Sequence, residues 1–242
     1  MSLDVMAYLE GFAFCTIRPA VALFLVPFGY NSSLGVALRV PLMLAFAALP
    51  AQVGWPPAPV LAALVEIGLG VAMGLMLGTI VHVAAAAGAL LDQQGGYSIA
   101  TTFNPYFAQE AALLEVLFAQ FAALTLFTGP GLRLLFGFFA DMWALWPAGH
   151  ASPDFTAMFR ALAETSLPGL AGDALRLAAP LIGLLLLIDV ALGLMSRHVR
   201  QLNPFAEART VKAMVLAFAL MLSIAPVMAW IEAALHRIVR MP

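Results

Sequence analysis

The sequence predicts an all-α fold, a polytopic membrane protein built of hydrophobic helices, and three observations carry that expectation. First, 63% of the 242 residues are hydrophobic and 10% are charged, whereas a soluble domain is nearer half apolar and about a quarter charged. Second, mean hydropathy reaches +0.98, and the apolar residues collect into runs near or above the ~20 needed to cross a bilayer. Third, a polar segment, residues 92–105, lies between two of the most apolar runs, 58–91 and 111–127. Polar backbone at membrane depth persists only where protein buries it or where it lines a wet cavity. The segment therefore points to a pore, a gate or a buried contact.

Taken in order, the expected hydrophobic segments are 7–29, 34–54, 58–91, 111–147, 174–196 and 213–236. The chain starts Met1-Ser2-Leu3-Asp4 and its first basic residue is Arg18. A cleaved signal peptide wants a basic start, so the first helix is expected to be retained. The third and fourth segments exceed one simple crossing, which calls for tilt, a break or protrusion beyond the bilayer. In the fourth, Gly129-Pro130-Gly131 is the expected break, because proline lacks the amide donor and clashes with the preceding turn. Residues 148–173, with Pro153, Pro168, Gly169 and Gly172, form the main extramembrane stretch, with a short helix expected around Phe155–Leu167. Further prolines, at 19, 27, 41, 180 and 226, sit in or beside apolar segments, where neighbouring helices can satisfy the freed carbonyls.

Basic residues set orientation. Arg197, Arg200, Arg209 and Lys212 place the segment 197–212 in the cytoplasm. Counting back puts 148–173 outside, 92–110 inside and the N-terminus outside. The C-terminal tail then falls outside despite Arg237 and Arg240, a conflict that four basic residues against two decide. Trp55, Trp143, Trp146 and Trp230 all fall near outer helix ends, as an aromatic belt would.

Gly70, Gly74 and Gly78 repeat every fourth residue, a spacing that lets another helix backbone approach closely and serves packing. Charges occur inside nearly every segment: Arg18, Arg39, Glu66, Glu115, Arg133, Asp141, Asp189 and Glu232. Such residues face protein or water rather than lipid. They suit pairing between subunits, helices held out of lipid, or an ion pathway. Asp189, alone in the apolar run from Leu177 to Leu194, and Glu66 are the sharpest buried-charge candidates. Glu66 and His82 lie about 160° apart around one helix, which argues against a proton relay between them.

Several function classes are excluded by what is missing. A net charge of −2 offers no electrostatic footprint for nucleic acid. The single Cys15 rules out an internal disulfide and a multi-cysteine metal site. Phosphate-loop, zinc-protease and nucleophile-elbow motifs do not occur, and the four histidines are scattered. The expectation is a non-enzymatic protein without cofactor or metal.

Four pieces of the sequence, in order, resemble the FliR/YscT/SpaR family, whose injectisome members are called SctT. They are Gly88-Ala89-Leu90-Leu91-Asp92-Gln93-Gln94-Gly95; Ala100-Thr101-Thr102-Phe103-Asn104-Pro105; Gly129-Pro130-Gly131 with Trp146-Pro147; and Arg197-His198-Val199-Arg200-Gln201-Leu202-Asn203-Pro204-Phe205 followed by Lys212. Paired glycines are common in the family where Gly129-Pro130-Gly131 stands, and a Ser-aromatic pair where Asp141-Met142 stands. Asn104 in place of a flagellar Asp, with Leu91-Asp92-Gln93, favours an injectisome-type member.

The resemblance implies a core subunit of the type III secretion export gate in the bacterial inner membrane. It implies one copy beside five SctR-like (FliP-like) and four SctS-like (FliQ-like) subunits, with an SctU-like (FlhB-like) partner wrapping the cytoplasmic side. Residues 1–173 would correspond to an SctR-like part and 174–242 to an SctS-like helical hairpin. Unfolded proteins would pass through the assembly, and a plug loop near 92–109 would close it. On this reading Asp92, Gln93, Gly95, Gly96, Ser98, Thr101, Thr102, Phe103, Asn104 and Pro105 form the plug, with glycines for tight turns and polar side chains as latches worth about 1 kcal/mol each. Arg197, Arg200, Gln201, Asn203, Arg209 and Lys212 form the edge that docks the SctU-like subunit. The competing reading is a small transporter or channel subunit with an ion site at Asp189 or Glu66. It predicts repeats around a midplane site, and no internal repeat is visible.

Overall fold

A computed structural model describes residues 5–27, 32–50, 54–96, 102–104, 109–111, 113–149, 155–156, 160, 163, 169–198 and 204–239. Helices dominate: α1 (Val5–Cys15), α2 (Ile17–Leu25), α3 (Ser32–Ala47), α4 (Pro59–Gly95), α5 (Leu113–Phe127), α6 (Gly129–Leu145), α7 (Leu170–His198) and α8 (Pro204–Val239). Among the described residues, the departure from an all-helical fold is a small antiparallel ribbon, β1 (Thr102–Asn104) against β2 (Gln109–Ala111), with Phe103 opposite Glu110.

Among the described residues, four helical segments are long and apolar enough to cross a membrane: Val5–Leu25, Pro59–Gly95, Leu170–Met195 and Thr210–Arg237. The α5–α6 pair, bent by 66°, makes a fifth if the pair counts as one span. The bend falls at the expected place. Gly129 sits at φ 51° and Pro130 opens α6 with no amide to offer the previous turn. Gly131 lies so close under the Thr125 carbonyl that no Cβ would fit there. At the N-terminus, α1 and α2 break at Thr16. Pro19 cannot donate to the Cys15 carbonyl four residues back, and Thr16 Oγ1 instead donates to Ala13 O at 2.6 Å.

The expected segment 58–91 is one unbroken helix that runs on to Gly95. At 37 residues it is about 55 Å long, well beyond a ~30 Å hydrocarbon core. Gly96, at φ 75° and ψ 20°, ends it in the left-handed conformation, its amide donating back to the last turn. The expected segment 34–54 yields only the 16-residue α3, about 24 Å and short of a full crossing. Segments 174–196 and 213–236 are longer than expected at both ends: α7 runs to His198 and α8 starts at Pro204. The short helix expected at Phe155–Leu167 falls largely outside the described residues.

The long α4 is the axis of the fold: α2, α5, α7 and α8 all pack against it. Leu69, Met73, Leu77, Ile80, Ala84, Ala87 and Leu91 are buried along it, and apolar residues on all sides suit a helix ringed by neighbours. The glycine ladder explains the closeness of α2. A Cβ on Gly70 would lie 2.7 Å from the Arg18 carbonyl oxygen, and one on Gly74 would lie 2.7 Å from that of Ala22. Gly78 is different: its nearest neighbour would be Pro27 Cδ at 3.7 Å, an ordinary contact. The ladder therefore has two working rungs. Gly70→Ala and Gly74→Ala are expected to push α2 away at a cost of about 1–3 kcal/mol. Gly78→Ala is expected to be neutral or to gain up to ~1 kcal/mol from helix propensity. Thermal unfolding of the three purified variants in detergent checks the ordering.

One side of α8 stays uncovered, with Met214, Phe218, Met221 and Leu222 between 65% and 74% exposed. Their spacing of three and four residues makes an apolar stripe.

Candidate functional site

Polar groups gather at two ends of the bundle. At the first, Arg18 on α2 and Glu66 on α4 are each 1% exposed and form a fork: Arg18 Nε donates to Glu66 Oε2 at 2.7 Å, and Nη2 donates to Oε1 at 3.0 Å. The remaining guanidinium nitrogen, Nη1, donates to Met142 O at 3.3 Å, near the C-terminal end of α6, where a cation also meets the negative end of the helix dipole. Glu66 Oε1 accepts a further bond from the Gly149 amide at 3.3 Å. The Arg18 guanidinium lies 3.8 Å over the Trp143 ring, whose indole N–H donates to Phe46 O at 3.3 Å. A planar, weakly hydrated cation suits such a bidentate and stacked place. This cluster ties α2, α3, α4 and α6 together. It also moves Trp143 out of the expected aromatic belt: the indole is 6% exposed and inside the protein.

At the other end lies the root of the polar segment. Asp92, expected in a loop, belongs to the last turn of α4 and is 1% exposed. Its Oδ2 accepts the amides of Leu114 at 2.9 Å and Glu115 at 3.0 Å. The first amides of a helix have no partner within it, so Asp92 caps α5 from a neighbouring helix, with its negative charge at the favourable end of the dipole. Its Oδ1 is buried and has no hydrogen-bond partner among the described residues. The approach depends on Gly88, one turn before Asp92 on the same face of α4. A Cβ there would run into the backbone of Leu114. Gly88 and Asp92 are thus two halves of one device: the glycine admits the start of α5, and the carboxylate holds it. Gly95 is buried, Gly96 forms the helix cap and Gln93 is exposed. Thr102, Phe103 and Asn104 form β1. Ser98, Thr101 and Pro105 lie outside the described residues.

The same end receives α7 and α8. Lys212 Nζ pairs with Asp189 Oδ1 at 2.7 Å and donates to Gln94 O at 3.2 Å. Lys212, expected in the segment 197–212, is therefore two turns inside α8 and faces inward, its side chain 12% exposed. Arg197 lies in the last turn of α7 and Arg209 in α8; Arg200, Gln201 and Asn203 lie outside the described residues. Asp189, the lone carboxylate of the apolar run, has its counter-ion on the next helix. At the opposite end of the hairpin, Arg237 Nη2 approaches Asp173 Oδ2 at 3.4 Å, which gives one of the two discordant basic residues of the tail a carboxylate partner. His82 is exposed while Glu66 is buried, so the two do not share an environment. Among the described residues, no group of three or more His, Cys, Asp or Glu side chains is placed to hold a metal ion.

Neither the Arg18–Glu66 fork nor the joint action of Gly88 and Asp92 is announced by sequence spacing. The first joins residues on separate helices. The second carries a readable signal, a small residue four positions before an acid near the end of a helix that Gly96 terminates.

The profile of the family described as "Bacterial export proteins, family 1" matches residues 9–238. The secretion system apparatus protein SsaT of Salmonella typhimurium is 26% identical over 234 residues, covering 92% of this chain and 90% of that protein. The surface presentation of antigens protein SpaR of Salmonella typhimurium is 28% identical over 164 residues, covering 67% of this chain and 60% of that protein. The flagellar biosynthetic protein FliR of Bacillus subtilis is 26% identical over 145 residues, covering 60% of this chain and 56% of that protein.

Proposed function

Because the chain belongs to the bacterial export protein family 1, we propose that it is a non-enzymatic core subunit of a type III secretion export gate, of the injectisome type. It resides in the bacterial inner membrane within the secretion apparatus. One copy joins five SctR-like and four SctS-like subunits to form the portal for unfolded protein export, and an SctU-like subunit docks near the α7–α8 turn. Residues 1–173 act as the SctR-like part and 174–242 as the SctS-like hairpin. The apolar stripe of Met214, Phe218, Met221 and Leu222 is one face available to partner helices.

One observation carries the gate reading: the polar segment after α4 hangs from a fixed root. Asp92 holds the start of α5 beside the end of α4, so the chain leaving at Gly96 must return within a few residues of where it left. A polar excursion with both ends anchored beside apolar helices suits a plug that moves without unravelling its supports. The transporter reading needs a carboxylate free to take up an ion. Glu66 and Asp189 are instead engaged by Arg18 and Lys212 of the same chain.

The test has two stages. Co-expression with the SctR-like and SctS-like subunits, followed by native mass spectrometry of the intact complex, is expected to give a discrete assembly holding one copy of this chain. Residues 97–110 are then replaced by a short Gly-Ser linker, which keeps the Gly96 cap. The resting complex is expected to become permeable to small ions. A complex that stays sealed to ions and still secretes would overturn the plug.

A further inference from the structure

We propose that the outward side of α6 between Arg133 and Ala144 is a face on which a helix of a neighbouring subunit seats, and that this helix carries a carboxylate opposite Arg133 and a cation opposite Asp141. The inference rests on the reading of the chain as one subunit of a larger assembly. It goes beyond that reading by naming the face and the charges that the partner must bring.

Arg133, Gly137, Ala140, Asp141 and Ala144 of α6 fall within an arc of about 100° around the helix. Gly137 is half-buried and the other four are exposed. Three observations say what covers this side. First, it holds charges. The outward sides of α7 from Ala179 to Met195 and of α8 from Met214 to Ala229 carry no exposed charge, so they suit lipid. Arg133 can lead its long stem toward a headgroup. Asp141 is too short to do the same from four residues inside the end of α6, a depth of about 6 Å. A carboxylate placed there faces protein or water rather than lipid. Among the described residues neither Arg133 nor Asp141 has an ion-pair partner. Second, their order is not one that α6 would select. A helix dipole favours anions near its start and cations near its end, yet Arg133 precedes Asp141. Third, the middle of the face is open. A Cβ on Gly137 would meet nothing within 4 Å, whereas one on Gly70, Gly74, Gly88 or Gly131 would strike the backbone of this chain. Glycine inside a helix is unfavourable beside alanine, and the described packing makes no use of the space at Gly137. With Ala140 and Ala144 next to it, the glycine admits another helix backbone closely. Such an approach brings Arg133 and Asp141, about 12 Å apart along the axis, within reach of the visitor's side chains. An opposite charge at each end then fixes the register and direction of that helix.

The experiment co-expresses the chain with the SctR-like and SctS-like subunits. Native mass spectrometry measures the fraction incorporated, and detergent melting curves follow the free chain. The exchange Arg133→Asp with Asp141→Arg is the deciding variant. It keeps the net charge and puts the two charges in the order that the α6 dipole favours, so the free chain is expected to melt no lower than the parent. Toward the partner both charges are reversed, and incorporation is expected to fall about tenfold or more. Gly137→Ala is expected to leave or raise the melting temperature and to lower incorporation. A photo-crosslinking side chain at Ala140 is expected to yield an adduct with one of the co-expressed subunits. An exchanged chain that melts and incorporates like the parent would overturn the proposal, and so would adducts with lipid alone. Should the exchange destabilise the free chain, Gly137→Ala decides: parental incorporation refutes the face. If the parent itself does not assemble with those subunits, the export-gate reading falls and the crosslink in the native membrane decides the face separately. A protein adduct that the exchange abolishes upholds it, and lipid alone refutes it.

Discussion

Arg18→Ala is expected to abolish stable accumulation of the chain in the membrane. The substitution leaves Glu66, 1% exposed, without its counter-ion, while the Gly149 amide still donates to it. It also removes the guanidinium from the Trp143 face and from Met142 O. Breaking a buried pair on one side costs about 3–5 kcal/mol, a large share of the ~5–15 kcal/mol that holds most domains folded. Glu66→Ala is expected to act with similar size, since it strands the cation. The double change Arg18→Met with Glu66→Leu removes both charges and keeps the volume, and such replacements of buried pairs are often neutral or stabilising. It should recover most of the loss, although the α6 end still forfeits the bond at Met142 O. Arg18→Lys should fall between, because an ammonium cannot make the planar fork. Membrane levels and detergent melting curves of the four variants measure this ordering. A double variant as unstable as either single would mean that the fork contributes specific geometry which hydrophobic packing cannot replace.

The features legible in the sequence were those written in one stretch of chain. Gly129-Pro130 announced the bend because a missing amide and a left-handed glycine act locally. Apolar length announced α4, α7 and α8. The spacing of Gly70, Gly74 and Gly78 announced close packing, but not which rungs are occupied, because that depends on the path of α2 past α4. Charges were less readable. Arg18 and Glu66 stand 48 residues apart, and the periodicity of one helix says nothing about a partner on another. Each therefore looked like an isolated cost in an apolar segment. Asp189 and Lys212 fall on opposite sides of an expected boundary that lies too late in the chain: residues 197–212 read as an interruption, yet α8 is already two turns old at Lys212. Asp92 suffered the reverse error. The Gln-Gln-Gly-Gly that follows it reads as a loop, yet Gln93 and Gln94 continue the helix and only Gly96 stops it. A glycine pair marks where a helix ends more sharply than the polar residues before it, and reading to the glycine places Asp92 on a helical face.

Once Asp92 is on that face, Gly88 becomes the position where the smallest change has the largest effect on the proposed gate. Gly88→Ala adds one carbon that collides with the Leu114 backbone. The obstacle is main chain at the start of α5, which cannot rotate aside as a side chain would, so α5 must shift. Overpacking of this kind typically costs about 1–3 kcal/mol, and here it also takes Leu114 and Glu115 away from Asp92 Oδ2. Asp92→Ala reaches the same end from the other side: it leaves two helix amides uncapped and is expected to cost about 1–2 kcal/mol. The two substitutions break one junction, so their effects should be strongly non-additive, the double variant being little worse than Gly88→Ala alone. Asp92→Asn keeps an oxygen for the amides and should be milder than Asp92→Ala. Amide hydrogen exchange at Leu114 and Glu115 in the assembled complex reads the junction directly. Faster exchange is expected in Gly88→Ala and Asp92→Ala, together with raised resting ion conductance. Additive effects would show that glycine and aspartate act separately. Rapid exchange in a complex that stays sealed would show that the root of the polar segment does not govern closure.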